Sequence, residues 1–478
     1  MAETLYFYDL ETSGFNPREQ RIMQFAGQRT DLDLKPIGEP HNILIALSED
    51  ILPDPDAILI TGITPQQTIA EGISEAEFLK IFNSEVALPG TIFTGYNTIR
   101  FDDEFMRYSH YRNLYDPYEW QWRDDRSKWD LLDLVRITRA LRPEGIKWPF
   151  DDDGKPSNRL GMLTSINELE HENAHDALSD VRASIDLARL IHAKQPKLFN
   201  YSLVNRSKQK VAELVLAGKP FVYTSGKFDT EYEKTAVVSV VAKGDDRQSV
   251  VVFDLRFDPN DYKDMSVEEL AEAMRWHKPG EKVASIPVKT IKFNRCPAVA
   301  PISVLNAEVT GRLKIDMSQV AAHQEALAKL PDFANNILKA VALLDKQQQT
   351  SQSTEERTVD AQMYDGFMGD SDKRLMAKLR TINPSEFNDY LDDIQDKRLK
   401  NLLPLYKARN YLKNLTSDER QVWDEFKNAR LFSGDNDSRM AKFMKRIEEL
   451  RALPATNDQQ QYLLTELELY GQSLLPTS

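Results

Sequence analysis

The chain opens on an apolar run with no helical period, Leu5, Tyr6, Phe7 and Tyr8, which stops at Asp9. Such a run, followed by the turn residues Ser13, Gly14, Asn16 and Pro17, predicts a buried strand and a turn. Arg21–Asp31 and His41–Leu47 predict two more strands, giving an antiparallel meander of three. Pro53 and Pro55 read as loop. Thr64 then serves as N-cap with Pro65 at the first helical position. Ser74 followed by Glu77 marks the start of another helix, to Phe82. Thr91–Asn97 predicts a strand. Phe101–Arg112, Trp129–Leu141 and Ala174–Ala193 predict helices, the last with Ala, Val, Ile and Leu recurring at three and four. Strands first, then strands alternating with helices, predict an α/β layer on a mixed sheet.

The pattern changes near Gln195 and Pro196. Short strand candidates follow (PFVYTS, KTAVVSVVA, SVVVFDL, VKTIKFN), with helical SVEELAEAM between them, and predict an α+β block with a small barrel-like sheet. SQVAAHQEALAKL and FANNILKAVALL run helical to about Leu344. Lys346–Arg357 is polar without apolar period and reads as a linker. From about Asp360 every periodic segment is helical. The domains expected are therefore 1–195, 196–350 and 355–478.

Composition narrows the setting. Of 478 residues, 41% are hydrophobic and 28% charged, as in globular proteins with real cores. The one cysteine, Cys296, excludes an internal disulfide and a thiolate zinc site, and it points to a reducing cytoplasm. The N-terminus lacks the basic and apolar regions of a signal peptide, and no apolar run is long enough to span a bilayer. A net charge of −14 argues against a protein coated in nucleic acid but permits a local basic cleft.

Candidate chemistry lies at element ends. Asp9 and Glu11 are two apart on a strand, so both carboxylates leave one face. Paired carboxylates at a buried strand end repel each other and resist desolvation, which a hard cation between them relieves. Oxygen donors alone point to Mg2+ or Mn2+ rather than zinc. NTIRFDDEF adds Asp102 and AHDALSD adds His175 and Asp180. Four carboxylates suit two divalent ions, and a neutral histidine can take a proton from an attacking water. The reaction that fits is in-line hydrolysis of a phosphodiester.

YFYDLET, NTIRFDDEF and HDALSD resemble the three motifs of the DEDDh exonucleases of RNase H-like, DnaQ-like fold. TGITP, NLYDPY, KWDLLDL, ALRPEGIKWP and VDAQMYDGF extend the resemblance, along nearly the whole chain, to the bacterial exodeoxyribonuclease I family. That family implies a nuclease domain, an SH3-like domain and a C-terminal helical domain, with the last two closing a groove. It implies processive 3′→5′ removal of mononucleotides from single-stranded DNA with Mg2+, two ions per site and Mn2+ as substitute, in DNA repair and recombination. Carried over, Asp9, Glu11 and Asp180 are metal ligands, Glu11 also touches substrate, Asp102 is the fourth acid and His175 the general base. A single chain acting as a monomer is expected, with no membrane partner. An RNA-trimming or proofreading nuclease of the same fold, or a catalytically silent single-strand-binding adaptor, are the alternatives; the two extra blocks and the intact acidic set count against them.

Between Arg107 and Trp129 aromatic and basic residues interleave, as in a groove where rings stack on bases and cations meet phosphates. Arg107, Tyr118, Trp122, Arg136, Arg142 and Arg159 are the expected DNA contacts and match contact positions of the family, whereas Trp129 and Tyr115 read as core. The resemblance implies further contacts at Gln248, Lys289 and Phe293. Gln362 and Tyr364 either pack the third block or touch DNA. The family also docks the acidic, Phe-ended tail of single-strand DNA-binding protein, for which Arg142, Tyr201 and Lys219 are the expected positions.

Overall fold

The computed structural model describes residues 3–170, 176–244, 248–275, 285–353, 357–454 and 457–476. The first sheet has the order β3-β2-β1-β4-β5, formed by β1 (Thr4–Thr12), β2 (Ile22–Thr30), β3 (Pro36–Leu44), β4 (Thr91–Thr94) and β5 (Ser127–Lys128). β1 is central, antiparallel to β2 and parallel to β4. Leu5 to Tyr8 are buried because this strand is covered on both faces, which is why they show no alternation. Tyr6, Tyr8, Phe25, Phe82, Phe93 and Trp120 form the aromatic core beside it.

The second sheet has the order β10-β6-β7-β8-β9, all antiparallel, from β6 (Phe221–Thr224), β7 (Thr235–Lys243), β8 (Ser249–Asp254), β9 (Val288–Lys292) and β10 (Ala298–Pro301). From Asp370 onward the described residues form helices and turns.

Four expectations change. β3 begins at Pro36, five residues before the expected His41, because its first half is an exposed edge, PIGEP, with no apolar signal. Pro55 starts a short helix, Pro55–Thr61, capped by the Asp54 side chain on Asp56 N–H, where a loop is expected. β10 is four residues long and ends at a proline, too short to show a period. The expected linker from Lys346 continues the helix Pro331–Ser353, since its Lys, Gln and Ser residues include no Gly or Pro to stop it.

The backbone divides into two compact units. One comprises 1–127, 171–182 and 357–478, and the other 128–170 and 183–356. In the first, the C-terminal helices pack directly on the flank of the first sheet. Met23, Ile58 and Ile63 share a core with Phe443, Ile447, Leu464 and Leu467. Beside it lies a buried knot of charge. Arg409 binds Asp50 at 2.8 Å and Asp360 at 2.7 Å, Arg21 reaches Asp360 at 3.3 Å, and Arg430 stands 3.6 Å from both acids. Burial pushes the two carboxyls up, but Arg409 together with Arg21 and Arg430 outweighs it and holds both well below the usual range. The second unit packs Ile137, Ala140 and Leu141 against Val222, Val237 and Phe253, and Cys296 is a buried residue whose thiol donates to the Lys128 carbonyl. No described helix is long and apolar enough to cross a membrane.

Candidate active site

β1 delivers the first two carboxylates. Its register sets Asp9 opposite Ala26 and Glu11 opposite Gln24. The third arrives in the first turn of the helix Ala177–Lys194, where the N-terminal dipole favours negative charge at Asp180. Asp9, Glu11 and Asp180 each bring a ligand oxygen within 4.8 Å of the others. Burial, and then the charges of Asp102, Asp180 and Asp176, hold the Asp9 carboxyl well above the usual range. Burial, and then Asp9, Asp180 and Asp176, push Glu11 up to about 9. Three carboxylates offering hard oxygen are a donor set that fits a divalent cation, whose charge replaces the protons that Asp9 and Glu11 otherwise keep.

Asp102 opens the helix Asp102–Arg112 and is 3% exposed. It is not one of the three converging ligands, and it acts on Asp9 through its charge. Its helix is fixed to β1 by the neighbouring Asp103, which accepts from Tyr8 Oη at 2.7 Å. The approach also needs Gly95, because a Cβ there would stand 2.4 Å from the Tyr8 carbonyl oxygen. Asn97 makes the following turn at φ +70°, a conformation asparagine tolerates.

Two contributors escape the motif reading. Gln24, opposite Glu11, donates to Asp176 Oδ1 at 3.1 Å. Asp176 caps the Asp180 helix by accepting from Ser179 N–H at 3.1 Å. The residues HDALSD carry Asp176 in plain view, but only the register at Gln24 marks it as part of the site. His175 lies outside the described residues.

The expected DNA contacts fall into distinct environments. Arg107 is buried, with Nη1 on Glu104 at 2.5 Å and Nη2 on the Gln121 side chain at 2.6 Å, and its guanidinium faces the Tyr118 ring. Tyr118 is half-buried, with Tyr364 and Phe367 rings 6.4 and 6.1 Å away. Tyr364 Oη donates to Glu104, while Gln362 donates to the Arg357 carbonyl. Phe367, which the sequence reading does not single out, is 84% exposed, and Trp122 is 62% exposed. The rings of Tyr118, Tyr364 and Phe367, adjoining one another beside polar groups, have the character of a stacking shelf.

In the other unit, Arg136 pairs with Asp133 at 2.9 Å and Arg159 is an exposed N-terminal flank of the helix Leu160–Ile166. Lys289, on β9, has its ammonium pKa lowered by burial, and Gln248 accepts from Lys208 at 3.0 Å. Phe293 is 2% exposed inside the core with Val250, Val252 and Ile291, so its ring has no face for a base; the expectation of DNA contact there is corrected. Trp129 is buried as expected, and Tyr115 packs against the aromatic core. Arg142 donates to the Val304 carbonyl and Tyr201 Oη to the Val299 carbonyl, while exposed Lys219 shortly precedes β6, whose Phe221 pairs with Pro301. The three positions thus gather around β10 and the turn after it.

Comparison with known proteins agrees along the length. The Exonuclease family model matches residues 6–188, the Exonuclease I SH3-like domain 206–341, and the Exonuclease I C-terminal domain 357–474. Exodeoxyribonuclease I of Haemophilus influenzae is 38% identical over 478 residues, covering 99% of both chains. The crystal structure of E. coli Exonuclease I in complex with a dA16 oligonucleotide superposes with a TM-score of 0.91 at 36% identity, over 99% of this chain and 100% of that one. A structure of SSB/Exonuclease I with the inhibitor CFAM gives 0.88 at 35%, over 99% and 100%.

Proposed function

This chain belongs to the exodeoxyribonuclease I family, and from that membership we propose the division of labour among its residues. It is a hydrolase that degrades single-stranded DNA from the 3′ end. The observation that carries the reading is the meeting of Asp9, Glu11 and Asp180 within 4.8 Å, from residues far apart in the chain. These three hold divalent metal, for which we take Mg2+ in two positions with Mn2+ as substitute. Held by Asp9, Glu11 and Asp180, such ions would lower the pKa of an attacking water and offset charge on the leaving 3′ oxygen. Asp102 sets the charge around Asp9, and Glu11 faces the substrate end. Asp176 orients the Asp180 helix, and His175 accepts the proton of the water.

Tyr118, Trp122, Tyr364 and Phe367 stack on bases, and Arg107 places Tyr118 and Tyr364 rather than meeting phosphate. Arg136, Arg142, Arg159, Lys289 and Gln248 track the backbone, and Gln362 supports the shelf. Arg142, Tyr201 and Lys219, around β10, take the acidic tail of single-strand DNA-binding protein. The enzyme works as a monomer in the cytoplasm.

The test is digestion of matched 3′- and 5′-labelled single strands with Mg2+, beside an RNA of the same sequence. Mononucleotides released from the 3′ end of DNA are expected. Release from the 5′ end, internal nicking or preference for RNA overturns the reading.

A further inference from the structure

The C-terminal helical block carries an open apolar groove that the nuclease reading does not use. Its cavity is about 540 Å³, walled by the helices Lys397–Asn410 and Ser417–Phe432 and by the turn Pro384–Tyr390 with the residues just after it. Apolar side chains among its lining are Phe387, Leu391, Leu403, Val422, Trp423 and Phe426. Pro404 sits inside the first helix and lines the groove; it cannot donate to the Lys400 carbonyl, so the helix cannot close tightly there. Trp423 and Phe426 stack with centroids 5.7 Å apart, and Val422 is 61% exposed. An apolar recess of this size, left wet, is the usual mark of a binding surface.

Its charge selects the occupant. Lys407 lines the groove but is spent: both oxygens of Glu419 hold it, at 2.6 and 2.9 Å. Glu419 is itself filled by Asn388 and by the Thr416 N–H. The lining charge left is that of Asp418. The segment Pro384–Asp393, which gives Phe387, Asn388 and Leu391 to the lining, also carries Glu386, Asp389, Asp392 and Asp393 around the rim, all exposed, against a neighbouring cation, Lys378, which lies over the Tyr390 ring. The Lys407–Glu419 pair also pins the two helices together, so the recess is formed before anything enters it.

We propose that this groove docks an amphipathic helix of a partner protein whose apolar face carries anchors at i, i+3 or i+4 and i+7 and whose flanks are rich in Lys and Arg. An acidic tail meets like charge here, so this is not the surface for single-strand DNA-binding protein. The proposal stands independently of the nuclease reading, because none of these residues belongs to the active site.

The test selects peptides from a phage-displayed helical library on the full chain, with the Val422→Arg chain as counter-selection. The expected winners share the apolar spacing and a net positive charge. A labelled winner, measured by fluorescence anisotropy, should bind the Val422→Arg chain at least tenfold more weakly. An Asp392→Lys, Asp418→Lys chain should bind several-fold more weakly, with the deficit shrinking at high salt. Both variants change exposed side chains and should digest single-stranded DNA at the parent rate. Acidic winners, no winner that distinguishes the two chains, or a dimer in sedimentation that Val422→Arg dissolves would each overturn the proposal.

Discussion

At Asp9, burial first and then the charges of Asp102, Asp180 and Asp176 oppose ionisation, and exchanging the carboxyl for an amide removes that cost. Asp9→Asn should therefore cut turnover by about 10³-fold or more, a loss typical of a key electrostatic group, while raising the melting temperature of the ion-free protein. A lower melting temperature would show that Asp9 is not under the strain described. The pH dependence has a definite sign. Glu11 keeps its proton to about 9 when folded, against about 4.3 when unfolded. The folded state thus holds more protons between those values, and stability of the ion-free protein falls as pH rises through that window. Divalent metal competes with those protons, so Mn2+ affinity, followed by calorimetry, should tighten from pH 6 to 9. Affinity flat across that range would remove Glu11 from the ligand set. At this scale the sequence is informative where chemistry is fixed by residue type and spacing, as at Asp9, Glu11 and Asp180. Asp176 reads like any helix cap until Gln24 is placed beside it. Neither the resemblance at Phe293 nor the interleaving of rings and cations at Arg107 shows that both side chains are buried, because a strand's or helix's inward face depends on what packs against it.

Among elements, the rings of Tyr118, Tyr364 and Phe367 come from two stretches of sequence but form one surface. Phe367→Ala should weaken binding of an oligo-dT strand by about 1–3 kcal/mol, the value of one stacked base. The single-turnover rate of bound strand should stay unchanged. A slower chemical step with unaltered affinity would place the ring elsewhere. The elements hardest to read are those whose stability comes from neighbours. The polar half of β3 is an edge paired to β2, β10 is secured by β6, and Pro55–Thr61 rests on the C-terminal helices through Ile58. The tail of the helix Pro331–Ser353 reads as linker because its residues are polar, although its Lys and Gln are good helix formers.

Across the molecule, the Arg21, Asp50, Asp360, Arg409 and Arg430 knot is invisible to any local pattern, since its members span most of the chain. Arg409→Met leaves two buried acids short of a partner and should destabilise by about 3–5 kcal/mol in urea titration. A loss under 1 kcal/mol would mean water already reaches the knot. Its pH behaviour runs opposite to that of the active site. Asp50 and Asp360 have depressed folded values, so their contribution is complete above about pH 4 and is lost as acid protonates them. Acid unfolding below pH 4 should therefore be blunted in an Asp50→Asn, Asp360→Asn double variant relative to its own stability at neutral pH.

The same knot sets an order of events during synthesis. A chain halted on the ribosome before residue 357 has made Asp9, Glu11 and Asp180, yet it carries Arg21 and Asp50 without their late partners and leaves Met23, Ile58 and Ile63 bare to water. The catalytic half of this protein is thus translated first and finished last.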